Sequence, residues 1–287
     1  MYHAKRNGKD QYRIYVDKMT LEVTDIIETN VGLRQAIKND ELVVFFQPKV
    51  DLYTQQVTGA EALVRWEHPK LGLLQPVDFL EIAEKTDLIV DIDKWVFKKV
   101  ATLISQWQKE GADLEGILFS VNVSARMFYM SDLAEQLNNI LDQTDCKPHQ
   151  LILEITERDV MRDFVTCSRT IETLRAQGYK IAIDDFGTGY SSLSVVKHLS
   201  ADYLKLDRSF IQDIDSSQLD YEITSAVLKL ASILNLSVIA EGVETQRHLD
   251  KLLELGCNRA QGYYFSKPLP VKQWLEFFSK SKEKSIC

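Results

Sequence analysis

Short β-prone segments alternate with helical segments along most of this chain, and this alternation constrains the fold more than any other feature. Helical periodicity is clearest in Asp91–Glu110, Asp163–Ala176, Leu219–Leu234 and Thr245–Leu255. Eight strands surrounded by helices are the number that closes an α/β barrel, and an open doubly wound sheet is the alternative. The eight predicted strands are Leu42–Val50, Val57–Arg65, Ile117–Val123, Leu151–Ile155, Lys180–Asp184, Tyr203–Leu206, Ser237–Glu241 and Arg259–Gln261.

The first two predicted strands are joined too closely for a helical crossover. Residues 51–56 connect them, whereas parallel neighbours need a connection of a dozen or more residues. This pair should therefore be antiparallel. A Rossmann fold fits poorly, because Gly187-Thr188-Gly189 is followed by Ser192 where the third glycine of a dinucleotide-binding turn belongs.

Size and charge limit the kind of partner that the chain can take. Its 287 residues suit a single α/β barrel. The net charge of −8 argues against non-specific binding to polymeric nucleic acid or to an anionic membrane. If the substrate is an anion, metal ions would have to invert the local field.

Cysteine usage and hydropathy favour a cytoplasmic protein. The four cysteines are far apart and form no Cys-x-x-Cys pair, so reduced thiols are the expected state. No apolar run approaches the roughly 20 residues that span a bilayer, and the first residues do not form a signal peptide. Segments outside this chain could still anchor the full-length protein in a membrane.

Polar residues stand at or just beyond the end of nearly every predicted strand. A single strand-end carboxylate is usually a solvated surface group, and an isolated Asp-Asp pair is usually part of a loop. In an α/β barrel, however, the carboxyl ends of the strands converge on one face, where barrel enzymes place their active sites. The repeated pattern therefore predicts a functional site. Its members are Glu61, Asn122, Glu154, Asp184, Asp185, Lys205, Asp207, Glu241 and Gln261.

So many carboxylates on one face need cations to remain ionised together. Oxygen ligands without histidine or cysteine select hard ions such as Mg²⁺ or Mn²⁺. Two such ions bridged by a shared aspartate form a clamp for in-line displacement at phosphorus. Lys205 is the cation of this group and could stabilise an attacking hydroxide or a developing negative charge, although a plain salt bridge is the simpler role for it. The five histidines show no metal-like spacing and are expected to be surface or packing residues.

These residues occur within motifs that resemble those of EAL-domain cyclic-di-GMP phosphodiesterases. The similarity runs from about Leu42 to Pro270. The three letters Glu61-Ala62-Leu63 would mean little alone, but the ordered set of motifs is highly specific. The other matching motifs are Gln47-Pro48, Asn122-Val123-Ser124, Glu154-Ile155-Thr156-Glu157, Asp184-Asp185-Phe186-Gly187-Thr188-Gly189-Tyr190-Ser191-Ser192, Lys205-Leu206-Asp207, Glu241-Gly242-Val243-Glu244 and Gln261-Gly262.

The resemblance implies a fold and a reaction. The fold is a modified (β/α)₈ barrel of the TIM type whose first strand is antiparallel, in agreement with the short first connection. The reaction is hydrolysis of one phosphodiester of cyclic di-GMP to linear pGpG with two Mg²⁺ or Mn²⁺ ions. No catalytic position of the family pattern is missing, whereas members that only bind the dinucleotide typically lack one or more of these acids.

The resemblance also implies a role for each matching residue. Glu157 would hold in place the loop Asp185–Leu193, which the family uses at a homodimer interface. The metal ligands would be Glu61, Asn122, Glu154, Asp184, Asp185 and Glu241, with Asp184 shared between the two ions. The catalytic residues would be Lys205, which orients the hydroxide, together with Glu61 and Glu241. The residues that contact the substrate would be Gln47, Leu63, Arg65, Glu244 and Gln261.

The N-terminal residues resemble a different family. Met1-Tyr2-x-Ala4-Lys5-x-x-Gly8-x-x-x-Tyr12 is similar to the closing segment of a GGDEF diguanylate cyclase domain. We therefore expect residues 1–30 to be the end of a preceding GGDEF-like domain and a linker, with a short strand at Gln11–Val16 and helix within Met19–Lys38. Residues 31–280 would form the EAL barrel and residues 281–287 a charged tail. Upstream GGDEF and sensory domains are the expected partners in the full-length protein.

Two other functions are compatible with a barrel of this kind. A cyclic-di-GMP receptor or scaffold would bind the dinucleotide without hydrolysing it. An unrelated barrel phosphohydrolase would need a different substrate over Arg65, Glu244 and Gln261. The complete set of acids favours the phosphodiesterase, because function depends on the site rather than on the fold.

Overall fold

Ten strands form one continuous sheet in the computed structural model, which describes residues 29–187 and 200–283. Eight of these strands close into a barrel, while β3 and β10 are short additions at its rim. The strands are β1 Leu42–Asp51, β2 Val57–His68, β3 Gly72–Leu74, β4 Leu118–Asn122, β5 Leu151–Thr156, β6 Lys180–Phe186, β7 Tyr203–Leu206, β8 Ser237–Ala240, β9 Arg259–Ala260 and β10 Leu269–Pro270.

The first strand closes the barrel and runs against both of its neighbours. On one side β1 pairs antiparallel with β2, with Gln47 opposite Glu61. On the other side it pairs antiparallel with β9 and, further along, with β10. The remaining neighbours in the barrel, from β2 through β4 to β9, are parallel. The predicted α/β barrel with an antiparallel first strand is therefore confirmed, and the open sheet is excluded.

Helices follow the parallel strands and cover the outside of the barrel. Residues 29–38 are helical, as predicted for the part of Met19–Lys38 that the structure describes. Each of the four predicted long helices is present with its ends shifted by no more than three residues. After residues 29–38, the α-helices, including these four, are Pro76–Lys85, Leu88–Lys109, Ala125–Phe128, Leu133–Leu141, Glu157–Arg162, Phe164–Ala176, Arg208–Ile211, Gln218–Ile233, Gln246–Glu254 and Val271–Glu283.

Two hydrophobic layers position the face of the barrel that carries the polar residues. The main core lies between the strands and the helices. A second, small cluster fills the lower barrel and consists of Ile152, Ala182, Tyr203 and Ile239, one from each of β5 to β8. Side chains alternate along a strand, so the residues two positions further on point into the same lumen. Those residues are Glu154, Asp184, Lys205 and Glu241.

Some predicted segments lie outside the described residues. These are the strand expected at Gln11–Val16, the rest of the N-terminal thirty residues apart from 29–30, and the loop beyond Gly187 up to residue 199. The helix Val271–Glu283 includes the first three residues of the expected charged tail, and residues 284–287 are not described. Among the described helices, none has the length and apolar character needed to cross a membrane.

Candidate active site at the mouth of the barrel

The ammonium group of Lys205 lies at the centre of a ring of four carboxylates. Its Nζ is 2.6 Å from Glu154 Oε2, 2.9 Å from Asp184 Oδ2 and 2.9 Å from Glu241 Oε1. A fourth carboxylate oxygen, Glu61 Oε2, is 3.4 Å away. The five residues come from β2, β5, β6, β7 and the position just after β8, so the structure brings together side chains that are far apart in the sequence, as predicted.

Amide side chains hold Glu61 from the other side. Asn122 Nδ2 donates a hydrogen bond to Glu61 Oε1 at 2.8 Å, and Gln261 Nε2 donates to Glu61 Oε2 at 2.6 Å. The Gln261 amide also lies 3.4 Å from Gln47 Oε1, and Gln47 in turn donates to the carbonyl oxygen of Ser266 at 3.3 Å. Gln47, Asn122 and Gln261 thus belong to the same cluster as the acids.

The crowding of charge shifts the pKa values of these groups in opposite directions. Burial alone would raise the pKa of Glu154, but the nearby ammonium groups of Lys205 and Lys49 outweigh burial and hold it at about 2. Burial and neighbouring carboxylates raise the pKa of Asp184 to about 6 and that of Glu241 to about 8. Burial lowers the pKa of Lys205, yet its carboxylate partners raise it well above the ordinary value. The ring therefore lacks positive charge even with Lys205 ionised.

Three of the acids are placed to share a cation. Ligand oxygens of Asp184, Asp185 and Glu241 all lie within 4.8 Å of one another. Asp185 has the left-handed backbone angle φ of 53°, and its amide donates to Asp184 Oδ1 at 2.8 Å. An oxygen-only donor set with a deficit of positive charge fits a hard divalent ion such as Mg²⁺ or Mn²⁺.

A buried glutamate fixes the beginning of the loop that follows β6. Glu157 Oε2 accepts a hydrogen bond from the backbone N–H of Gly187 at 2.7 Å, two residues after Asp185. Glycine suits this position because its φ is 95° and a Cβ would lie 2.6 Å from the ring of Phe210. Burial raises the pKa of Glu157. Its other oxygen, Oε1, has no hydrogen-bond partner within the described ranges.

Three predicted substrate residues surround this cluster without joining its hydrogen bonds. Arg65 is buried, donates to the carbonyl oxygen of Val64 at 2.8 Å and has a pKa lowered by burial. Leu63 lies with Asn122 and Glu154 on the wall of an open groove whose volume is about 1630 Å³. Glu244, in the loop after β8, forms a partly exposed ion pair with Arg208 at 3.2 Å.

Sequence reasoning missed two buried charged residues. Lys49 reaches into the lumen from β1 and pairs with Glu154 Oε1 at 2.6 Å. Its signal was the two-residue alternation of β1, which places residue 49 on the same face as Gln47. Asp93, on the helix Leu88–Lys109, accepts the N–H of Ser124 at 2.9 Å, two residues beyond Asn122. Its signal was the helical periodicity, which places Asp93 on the apolar face, four residues after Ile89 and four before Phe97, and leaves Asp91 exposed.

We expect Asp93 to lower the stability of the fold as the pH rises. Burial raises its pKa from 3.8 to about 7, so the folded chain binds this proton more tightly than the unfolded chain. The stabilisation is therefore complete below pH 3.8 and is lost as the pH passes through about 7, at a rate of up to about 1.4 kcal/mol per pH unit. Asp93→Asn removes this titration. Urea unfolding in EDTA measures the free energy of unfolding at each pH. The difference between the variant and wild type should shift in favour of the variant by up to about 2 kcal/mol between pH 5.5 and 7.5.

Because the two proteins are compared at each pH, the contributions of their other titrating groups to the pH dependence of stability cancel. Asp91 is an exposed residue on the same helix. For Asp91→Asn, a plot of the free energy of unfolding against pH should run parallel to the wild-type plot. Parallel curves for Asp93→Asn as well would contradict the raised pKa.

Comparison with known proteins places the chain in a family. The EAL domain model matches residues 31–268. The chain is 41% identical over 276 residues to the bifunctional diguanylate cyclase/cyclic di-GMP phosphodiesterase MucR of Pseudomonas aeruginosa, covering 96% of this chain and 40% of MucR. It is 34% identical over 283 residues to the cyclic di-GMP phosphodiesterase PdeR of Escherichia coli, covering 98% of this chain and 42% of PdeR. The chain thus spans less than half the length of these curated relatives.

Solved structures give the same result. The structure of the PaMucR phosphodiesterase in its c-di-GMP complex superposes with a TM-score of 0.82 at 42% identity, covering 86% of this chain and 99% of that one. The EAL enzyme Bd1971, in its cAMP and cyclic-di-GMP bound form, gives a TM-score of 0.83 at 32% identity. This match covers 90% of this chain and 70% of the Bd1971 chain. With its barrel topology, its ring of acids around a lysine and these matches, the chain belongs to the EAL domain family.

Proposed function

We propose that this EAL domain is a phosphodiesterase that hydrolyses one phosphodiester of cyclic di-GMP to linear pGpG with the help of two Mg²⁺ or Mn²⁺ ions. The observation that carries the proposal is the ring of four carboxylates around Lys205, with Asp185 beside it. The names of MucR, PdeR and the PaMucR complex support the choice of substrate.

The charge of the site explains why metal ions are needed for an anionic substrate. With all five carboxylates ionised, as ligands of a metal must be, the two lysines Lys49 and Lys205 leave three negative charges at the mouth of the barrel. Two divalent ions would reverse this sign, lower the pKa of a bound water and neutralise charge that develops on the phosphate. One ion would be held by Glu61, Asn122, Glu154 and Asp184, and the other by Asp184, Asp185 and Glu241.

Lys205 acts in this scheme as a fixed positive charge and a hydrogen-bond donor. In the metal-free site the surrounding carboxylates raise the pKa of Lys205, which favours its charged ammonium form. A donor that is already oriented costs no reorganisation when negative charge develops on the attacking oxygen and on the phosphate. Glu241 and Glu61 contact Lys205 and help to orient it, while Asp184 and Glu154 contribute most to keeping it charged.

The residues that would contact the dinucleotide lie around this centre. Gln47 and Gln261 are hydrogen-bonded to each other next to Glu61. Arg65 supplies a buried positive charge, and Leu63 lines the groove that opens beside Asn122 and Glu154. Glu244 would take part once its ion pair with Arg208 is rearranged.

Assembly is part of the proposal. The hydrogen bond from Gly187 to Glu157 supports a role for Glu157 in positioning the loop after β6, through which two copies would form a homodimer. Upstream GGDEF and sensory domains would control the activity, since the curated relatives are more than twice as long. A cytoplasmic location remains a prediction from the sequence.

A hydrolysis assay with product identification tests the proposed function. Purified protein is incubated with cyclic di-GMP and Mg²⁺ or Mn²⁺, and the products are separated and weighed by mass spectrometry. We expect pGpG with either ion and intact substrate in EDTA. Binding of the dinucleotide without hydrolysis under all of these conditions would instead identify a receptor.

A further inference from the structure

Lys49 is a second lysine inside the barrel, on the opposite side of Glu154 from Lys205. Its side chain is buried, and it pairs with Glu154 Oε1 at 2.6 Å and donates a hydrogen bond to the hydroxyl of Ser120. Glu154 Oε2 is taken by Lys205 at 2.6 Å. The two oxygens of this carboxylate therefore have different lysine partners.

The two lysines differ in what they can do. Lys205 contacts four carboxylates at the mouth of the barrel, so its charge is shared by the whole ring. Within the described ranges, the hydrogen bonds and ion pairs of the Lys49 ammonium group go to Ser120 and Glu154. Burying an ammonium group costs several kcal/mol unless it is paired and hydrogen-bonded. This cost is offset here by contacts that fix one oxygen of one carboxylate.

We propose that Lys49 is a positioning residue that holds Glu154 Oε1 away from the ions, so that Oε2 alone serves as the metal ligand. The inference rests on the proposed function, in which Glu154 ligates one ion. Carboxylate ligands are oriented by outer hydrogen-bond partners, and loss of such a partner typically lowers metal affinity about 10- to 100-fold. Lys49 comes from the antiparallel strand β1, whereas Glu154 lies on the parallel strand β5.

A competing effect makes the proposal easy to test. If Lys49 were only a positive charge near the site, its removal would strengthen the binding of a cation, because one repulsive charge would disappear. If it were only a core residue, its removal would change stability and leave metal affinity unchanged. Of these three roles, positioning is the one that predicts weaker metal binding.

The experiment measures Mn²⁺ binding to the whole metal-free chain, without substrate, by electron paramagnetic resonance and calorimetry. We expect Lys49→Met, which keeps the length and apolar volume of the side chain, to bind Mn²⁺ at least about tenfold more weakly than wild type. Lys49→Arg keeps the charge and the donor and should recover most of the affinity. Lys180→Met removes a lysine that pairs with Asp202 elsewhere on the barrel, and it should bind Mn²⁺ as wild type does.

Several results would overturn the inference. Mn²⁺ affinity that is unchanged or tighter in folded Lys49→Met, with folding checked by thermal melting in EDTA, contradicts it. If Lys49→Met does not fold, Lys49→Gln, whose neutral amide is shorter than the lysine, provides the same comparison with the same expected tenfold loss. Wild-type protein that binds Mn²⁺ without hydrolysing cyclic di-GMP overturns the proposed function, while the affinities still decide the role of Lys49. Wild-type protein that binds no Mn²⁺ overturns both.

Discussion

Glu61→Ala should remove nearly all turnover of cyclic di-GMP, with kcat at least about 100-fold lower than in wild type. Glu61 contacts Lys205 and accepts hydrogen bonds from Asn122 and Gln261, so its loss disturbs three other members of the site at once. The substitution would also remove a metal ligand. Even the loss of a residue that only hydrogen-bonds to a ligand typically lowers metal affinity or activity about 10- to 100-fold. The loss should persist at saturating Mg²⁺, because added metal cannot replace the missing contacts.

Steady-state kinetics over a range of Mg²⁺ concentrations measures this effect. Glu67→Ala is a matched control, since Glu67 is an exposed residue on the same strand β2, and its kcat should equal that of wild type. Near-wild-type kcat for Glu61→Ala at high Mg²⁺ would remove Glu61 from the catalytic set.

Glu61→Gln separates the charge of the residue from its shape. Both oxygens of Glu61 accept hydrogen bonds from amide groups, one from Asn122 and one from Gln261. A glutamine can accept at only one of these positions and turns a donor toward the other, so it should also be strongly impaired. Activity close to wild type in this variant would show that neither the charge nor the second hydrogen bond is needed.

The position of the acidic ring could be predicted from the sequence because it depends on simple periodicity. Alternation along a strand places Glu154 two residues above Ile152, and Asp184 two residues above Ala182, so an apolar floor and a polar rim follow from the same rule. Parallel strands then bring these ends to one face of the barrel. The antiparallel β1 followed equally directly from the length of one connection.

Lys49 and Asp93 could not be assigned a role in the same way. Lys49 meets a carboxylate 105 residues further along the chain, and Asp93 meets an amide 31 residues away. Such pairings depend on how far β1 is shifted relative to its neighbours and on which loop packs against one helix, and neither is encoded in a local pattern. The roles of Leu63, Arg65 and Glu244 depend on a bound dinucleotide, so they stay predictions.

Lys205→Met should lower kcat by about 10²- to 10³-fold, with a smaller effect on substrate binding. Removing one preorganised donor from an electrostatic site has this magnitude in other enzymes, because the donor acts mainly on charge that develops in the transition state. Binding of cyclic di-GMP measured by calorimetry, compared with kcat, distinguishes the two effects. Unchanged kcat would contradict the role given to Lys205, and Lys180→Met, which removes an ion pair with Asp202, should behave as wild type.

The same substitution should destabilise the metal-free fold in a pH-dependent manner. Lys205 is fully buried among Glu61, Glu154, Asp184 and Glu241, and removal of one partner from a buried ion network typically costs about 3–5 kcal/mol. Without the lysine the pKa values of Asp184 and Glu241, which are already raised, should rise further, so the folded variant holds protons that the unfolded chain has lost. Urea unfolding in EDTA should therefore give the variant a lower free energy of unfolding than wild type, and this deficit should grow as the pH rises from 6 to 8.5. A deficit that shrinks over this range would mean that Lys205 is not the counter-charge of the ring.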